Sequence, residues 1–241
     1  MTDSETLDFF DENGYCILKN AIPEELILNY ENLWIKNHTS GYDVNGDLII
    51  DSLNGWKNSN SFVSYKEIRD ILCHENIFNF LNKLNKNFCL HLSFTSWIST
   101  QKGWHQDWIK PSKKDANNYV GVWVALEDIN PDSGPFQFIP KSHQWEVDFD
   151  YIYNQKDRNK VQELLAQQAI SENATAYSFI GSRGDLIIWS GHLVHRGSMP
   201  IDENILRKSL IGHYDTMDHN IVKYNNGLYR DDKNAGVDLY I

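Results

Sequence analysis

At Phe88 the character of this chain changes, and the change restricts its possible folds more than any other feature. Up to Leu84 the apolar residues recur at helical spacing. Ser4 to Glu12 reads as a short helix with a serine cap and an apolar face of Leu7, Phe9 and Phe10, stopped by Gly14. Tyr15 to Leu18 reads as a strand. Pro23 at a first helical position, followed by Leu26, Ile27, Tyr30, Leu33 and Trp34, marks a second helix, and Ile68 to Leu84 carries a further helical pattern. From Phe88 onward the runs are short and β-like: Phe88–Ser99, Tyr119–Leu126, Phe136–Ile139, Thr175–Ile180, Asp185–Trp189 and Lys208–Tyr214. Turn signals separate them at Pro131 to Pro135 and at Gly181 to Gly184, and Asp157 to Ala169 is a helical insertion rich in good helix formers.

Helices first and many short strands afterwards point to a mainly β (α+β) fold, a β-sandwich or jelly roll with helices on its amino-terminal flank. At 241 residues the chain is expected to be one domain, with a helical flank over about 1–87 and a β core over about 88–241. No repeat or Pro/Gly/Ser linker divides it.

The balance of 22 basic and 33 acidic residues leaves a net charge of −11, which disfavours nucleic acid and anionic membranes as partners. Lys110, Lys113 and Lys114 could draw an anionic substrate or form a solvated loop. Cys16, Cys73 and Cys89 are far apart and lack any Cys-x-x-Cys spacing, so buried free thiols in a reducing compartment are expected. Met1 to Gly14 is acidic without an apolar signal stretch, and no run approaches the length of a membrane span. A soluble cytoplasmic protein is the expectation, with its oligomeric state open.

Within the β half, His105-Gln106-Asp107 carries the chemistry. Side chains alternate along a strand, so His105 and Asp107 project to one side and Gln106 to the other. A third ligand must come from a distant strand. Asp185 to Trp189, followed by His192 and His195, is the expected source. Of the two, His195 is favoured because it lies nearer Arg207. His192 is then a structural histidine, or one that holds another imidazole in position. Two imidazoles and a carboxylate suit a divalent iron that keeps positions open for a 2-oxoacid and O₂. Twelve residues beyond His195, Arg207 could grip the far carboxylate of 2-oxoglutarate, and Ser209 on the same side of a strand could add a hydrogen bond. Trp104 and Trp108 flank the motif and are candidate substrate walls. A lone His-x-Asp is a weak signal; the ordered set is what lifts it.

That ordered set resembles the phytanoyl-CoA dioxygenase family of Fe(II)/2-oxoglutarate oxygenases. Phe9 to Tyr15 looks like the family's first helix and strand, and Trp104 to Asp107 like its iron motif. Val122 to Leu126 is similar to the strand that follows, and Ser133 to Pro140 with Ser142-His143 to the central turn. Gly184-Asp185 through His195, then Arg207 and Ser209, completes the likeness. The resemblance implies a double-stranded β-helix (a cupin-like jelly roll), iron on His105, Asp107 and His195, and 2-oxoglutarate on Arg207 and Ser209. Trp123 would either border the cosubstrate or serve as a core aromatic. The leading expectation is a hydroxylase that consumes O₂ and acts on a small polar molecule, a substrate the resemblance does not supply. Asp107 stands where related halogenases carry a small residue, which favours hydroxylation over halogenation. The chain departs from the pattern at Arg196, which intervenes before Gly197-Ser198, at Lys141 in place of a glycine, and in a shortened stretch between Trp97 and Trp104. The rival reading is a metal-binding jelly roll without redox chemistry, such as a sugar-type isomerase or a binding module, which would have no use for Arg207.

Overall fold

The structure is a computed structural model that describes residues 3–46, 48–50, 61–84, 88–107, 119–145, 158–216, 228–230 and 238–240. Trp108, Lys110, Lys113 and Lys114 lie outside the described residues. The amino-terminal part contains α1 (Asp3–Asn13), β1 (Tyr15–Leu18), α2 (Glu24–His38), β2 (Thr39–Tyr42), β3 (Leu48–Ile50), α3 (Ser61–Ser64), α4 (Lys66–Leu72) and α5 (Glu75–Leu84). The β part follows with β4 (Phe88–Ser96), β5 (Tyr119–Ala125), β6 (Phe136–Phe138), α6 (Arg158–Ser171), β7 (Tyr177–Ser178), β8 (Leu186–Ser190), β9 (His195–Gly197), β10 (Ser209–Thr216), β11 (Leu228–Arg230) and β12 (Asp238–Tyr240).

A major sheet in the order β1-β8-β5-β10-β4-β12-β11 faces a minor sheet in the order β7-β6-β9. The two sheets make the jelly roll expected from the sequence. Its central strands are buried on both faces, which is why β5 and β8 show no exposed position. Alternation sorts their side chains between two cores. Val120, Val122, Val124, Leu186, Ile188, Leu210 and Tyr214 pack outward against the helices with Ile27, Tyr30, Ile68 and Leu81. Trp123, Ala125, Ile187 and Trp189 pack inward against Phe136 and Phe138 of the minor sheet.

Local chemistry explains where elements differ from expectation. Pro23 sits one residue before α2, as its cap, because its ψ of 140° is not helical, although its carbonyl already accepts from Ile27 N at 3.4 Å. The pattern over 68–84 forms two helices. Ile68, Ile71 and Leu72 would continue at 75, 76 and 79, but Glu75, Asn76 and Asn79 stand there and the buried stripe resumes at Ile77, Phe78 and Leu81. The stripe slips register, so the helix breaks at Cys73–His74 to keep both faces against the sheet. The β2–β3 hairpin was not anticipated; it closes through Asp43, whose carboxylate accepts from Asn45 N at 2.8 Å, and through Gly46 at φ 87°. Cys16, Cys73 and Cys89 are buried, and none forms a disulfide. Among the described residues no helix is long and apolar enough to cross a membrane.

Candidate functional site

His105 sits at the end of an extended segment that pairs with β9. Its amide donates to the His195 carbonyl and the His195 amide donates back, each at 3.0 Å. This one antiparallel bridge joins two parts of the chain 90 residues apart and brings the two imidazoles to 4.2 Å between ring centres. The Asp107 amide donates to the Gly191 carbonyl at 2.9 Å, which turns its carboxylate to the same point. His105 Nε2 lies 3.5 Å from Asp107 Oδ1, and His195 Nε2 lies 3.3 Å from Asp107 Oδ2. One ligand atom from each of His105, Asp107 and His195 falls within 4.8 Å of the others, close enough to share one ion.

Both imidazoles are held in the tautomer that ligation needs. His105 Nδ1 is 2.7 Å from the Gly103 carbonyl and His195 Nδ1 is 2.9 Å from the Leu193 carbonyl. A carbonyl only accepts, so each Nδ1 carries the proton and each Nε2 offers its lone pair to the centre. Burial, together with the neighbouring His195, pushes His105 down to about 4, so its ring is neutral at neutral pH. Burial would raise the Asp107 carboxyl, but the imidazoles of His195, His213 and His105 around it hold it well below the usual carboxylate range.

Two further side chains stand against that carboxylate. Trp189 Nε1 donates to Asp107 Oδ2 at 3.0 Å. The indole fits because residue 121, directly opposite it on β5, is glycine: a Cβ there would lie 2.1 Å from the Trp189 ring. His213 Nδ1 stands 3.8 Å from the same oxygen and has no hydrogen-bond partner among the described residues. Neither was anticipated. The signal for His213 was available, since it lies an even number of residues beyond Arg207, but parity alone does not say how far a site extends.

Arg207 is 2% exposed, and burial lowers its guanidinium to about 10, which leaves it cationic at neutral pH. Its terminal nitrogens donate to the Gly134 carbonyl at 2.9 Å and the Ile98 carbonyl at 3.2 Å, while Nε has no partner among the described residues. The Pro131–Ser133 turn supplies the first of these carbonyls. The Asn130 side chain accepts from Asp132 N, and Gly134 adopts φ 76°, where a Cβ would meet the Ser198 carbonyl at 2.6 Å. Among the described residues no carboxylate pairs with Arg207, which lines the cavity with donors to spare.

A cavity of about 690 Å³ joins these parts, within the roughly 300–1,000 Å³ usual for small-molecule sites. His105, Asp107, His195, Trp123, Trp189, Arg207 and His213 line it, with Phe94, Phe136, Ile211, Lys102 and Arg196. Trp123 lies with its ring 5.6 Å from the Arg207 guanidinium carbon. Two expected residues are not on the wall. Trp104 points away from His105, as neighbours on an extended segment must, and packs against the cluster of Ile139, Trp145, Leu165 and Val194. Ser209 opens β10 two residues after Arg207, but its hydroxyl donates to the Ser96 carbonyl at 3.0 Å and it lies outside the cavity lining. His192 is fully buried; its carbonyl accepts from Gln106 Nε2 at 2.6 Å, and its ring is not part of the three-residue cluster.

Residues 43–199 match the family described as phytanoyl-CoA dioxygenase (PhyH), a stretch covering well over half the chain. The chain belongs to the phytanoyl-CoA dioxygenase family. No curated protein matches the chain. Solved structures agree on the fold of this family member. The non-haem α-ketoglutarate-dependent epimerase SnoN from nogalamycin biosynthesis aligns over 89% of this chain and 83% of its own at 13% identity, with a TM-score of 0.64. The carbocyclase SnoK, from the same biosynthesis, aligns over 89% and 84% at 14% identity, with a TM-score of 0.64. EctD from S. alaskensis aligns over 93% and 79% at 16% identity, with a TM-score of 0.61. The family member described here is therefore a jelly-roll enzyme with a candidate metal site between its two sheets.

Proposed function

We propose that this protein is a non-haem Fe(II)- and 2-oxoglutarate-dependent dioxygenase that hydroxylates a small polar molecule. The observation that carries the reading is the convergence of two Nε2 lone pairs and one carboxylate on the cavity wall that also holds the buried Arg207. The donor set fits iron: three protein ligands on one side leave the other positions open, as the two-histidine, one-carboxylate triad does. His105, Asp107 and His195 would hold the metal, and Arg207 would take the distal carboxylate of 2-oxoglutarate.

Iron bound there supplies the chemistry by which O₂ and 2-oxoglutarate give succinate, CO₂ and one oxygen atom for the substrate. The protein's own part is positional. The Gly103 and Leu193 carbonyls hold both imidazoles in register, and Trp189 holds the Asp107 carboxylate. Arg207 orients a dicarboxylate through donors already fixed by Gly134 and Ile98. Phe94, Phe136 and Ile211 give the remaining wall its apolar surface.

The name of SnoN describes an epimerase and that of SnoK a carbocyclase, so product analysis is part of the test. Anaerobic protein with Fe(II) should develop a visible iron–oxoacid charge-transfer band on addition of 2-oxoglutarate. Arg207→Gln should weaken that binding by about 10–100-fold, the worth of a charge-assisted contact. Turnover of a substrate should release succinate and add one oxygen atom to the product by mass spectrometry. No band at saturating 2-oxoglutarate would remove the cosubstrate reading. Succinate without oxygen gain would leave an oxidase of another kind and remove the hydroxylase.

A further inference from the structure

Two adjacent cross-strand rows on the inner face of the major sheet frame the cavity. In one, Ile211 of β10 stands between Phe94 of β4 and Trp123 of β5. In the next, His213 of β10 stands opposite Gly121, and Gly121 opposite Trp189. The glycine leaves room between its two large neighbours, whose rings meet edge to face with centres 5.8 Å apart. Both side chains converge on Asp107. Trp189 makes a hydrogen bond there, whereas His213 Nδ1 stops at 3.8 Å, beyond hydrogen-bond length.

His213 is 7% exposed, yet it lines the cavity. The rings of Phe94 and Tyr119 each lie with centres 5.7 Å from its own. Nδ1 is buried with no hydrogen-bond partner among the described residues. Nε2, at the far end of the ring, is the nitrogen left to the cavity, and it too has no protein partner there. The hydroxyls of Thr95 and Ser96 on the same wall are already engaged, by Tyr30 and by the Ile98 carbonyl. Neither the three metal ligands nor the Arg207 clamp uses His213.

Asp107 decides which His213 nitrogen is the donor. A carboxylate only accepts, and a lone pair at Nδ1 would face the lone pairs of Oδ2. In the neutral imidazole the proton therefore belongs on Nδ1, and Nε2 is left as an acceptor. An acceptor set in a wall of aromatic and aliphatic side chains costs free energy until a donor reaches it.

We propose that His213 recognises the substrate: Nε2 accepts a hydrogen bond from a hydroxyl or amide N–H, while the molecule's apolar body lies on Phe94 and Ile211. The substrate class is thus an uncharged alcohol or amide, held with its donor beside the metal centre. The proposal rests on the oxygenase reading for the metal and cosubstrate that share the cavity.

The test uses full-length protein with diamagnetic Zn(II) in place of iron. Calorimetric titration with 2-oxoglutarate comes first; absence of metal-dependent binding would sink the oxygenase reading, while the measurements that follow still decide the role of His213. Nitrogen NMR of isotope-labelled histidine, with the His213 signals assigned by their loss in His213→Phe and His213→Gln, should show Nδ1 protonated and Nε2 bare. Benzyl alcohol and benzamide should bind and shift the Nε2 resonance. Benzyl methyl ether and benzoate, which offer only acceptors, should leave it in place. The better of the two donors identifies the donor group. By calorimetry benzyl alcohol should bind about 10-fold more tightly than the ether, the worth of a hydrogen bond to a buried acceptor. In His213→Phe that preference should disappear, with 2-oxoglutarate affinity within about twofold of the parent, as for separate contacts. His213→Gln, whose side chain carries an acceptor oxygen, should restore part of the preference, which guards against a merely misfolded variant. A proton on Nε2, equal binding of alcohol and ether, no binding of either donor at millimolar concentration, or a preference that survives in His213→Phe would each overturn the proposal. Parallel loss of 2-oxoglutarate affinity and alcohol preference in that variant would also overturn it, because His213 would then serve the metal centre through Asp107.

Discussion

The two faces of β5, β8 and β10 are built from the same strands and do opposite work. Outward, Val120, Val122, Val124, Leu186, Ile188, Leu210 and Tyr214 meet the helical layer in a core that is almost wholly apolar. Inward, Trp123, Trp189, Ile211 and His213 face the cavity, and the polar groups stand at defined distances from Asp107 or Arg207. The outer face is governed by area and volume, so many residues of suitable size would serve. The inner face is governed by direction, because a hydrogen bond or a ligand atom displaced by an ångström no longer reaches its partner. Alternation lets stability and chemistry share one strand with little interference.

The sharpest challenge to that contrast is His195→Ala on the inner side. It should reduce Fe(II) affinity by more than about 100-fold, beyond the 10–100-fold that loss of an outer partner costs, while the metal-free protein melts within a few degrees of the parent. Calorimetric titration and a thermal melt check both halves; His192→Ala should leave iron affinity largely intact, and the reverse pattern would transfer the ligand role to His192. On the outer side, Ile188→Ala removes a fully buried side chain and should lower stability by about 2–5 kcal/mol in denaturant unfolding, yet leave metal affinity near that of the parent. A large loss of metal affinity in the folded Ile188→Ala protein would show that the faces are coupled. Trp189→Phe tests the intermediate case, keeping most of the ring and deleting the N–H to Asp107. Iron affinity should fall by about 10–100-fold. An unchanged affinity would mean the indole serves as packing alone.

The smallest effect is a pH slope. Burial holds His105 at about 4 in the folded metal-free protein, against about 6.5 in an unfolded chain. Between those values the unfolded state binds a proton that the folded state refuses, so stability must fall as pH drops from about 6.5 to about 4, by up to ~1.4 kcal/mol per pH unit for one site. Asp107, held below the usual carboxylate range, adds its loss only at lower pH. Urea midpoints at pH 7 and pH 5 should therefore converge in His105→Ala relative to the parent. His74, His143 and His213, also lowered chiefly by burial, would retain part of the slope. Identical slopes in both proteins would refute the assignment to His105.

Much of the architecture could be read before any coordinates, because it is written in local periodicity. The β5, β8 and β10 runs, α1, the helical insertion and the Pro131–Gly134 turn all carry their signals within a few residues. Ile68 to Leu84 reads as one helical pattern, and the structure breaks it at Cys73, where the apolar stripe slips from Leu72 to Ile77. Other features needed the partner strand. Strand β9 is three residues long and has no periodic signal of its own, yet it carries His195 and Arg196. Trp104 beside an iron-type motif suggested a substrate wall, and the parity that turns it away follows only from the His105–His195 bridge. Ser209 was placed on the correct face, but the neighbouring Ser96 carbonyl decides what its hydroxyl does.

By itself, then, the order of residues determined the kinds of elements and the types of donor atom, since alternation, helical spacing and side-chain chemistry are properties of short stretches. Only the tertiary structure decided which donors meet. Residues 105 and 195 become neighbours through two backbone hydrogen bonds between remote segments. Trp189 reaches Asp107 through the space left by Gly121, and Arg196 is held by Gln137 and the Trp104 ring. Those meetings depend on sheet register and on the volume of facing side chains, quantities that no single segment contains.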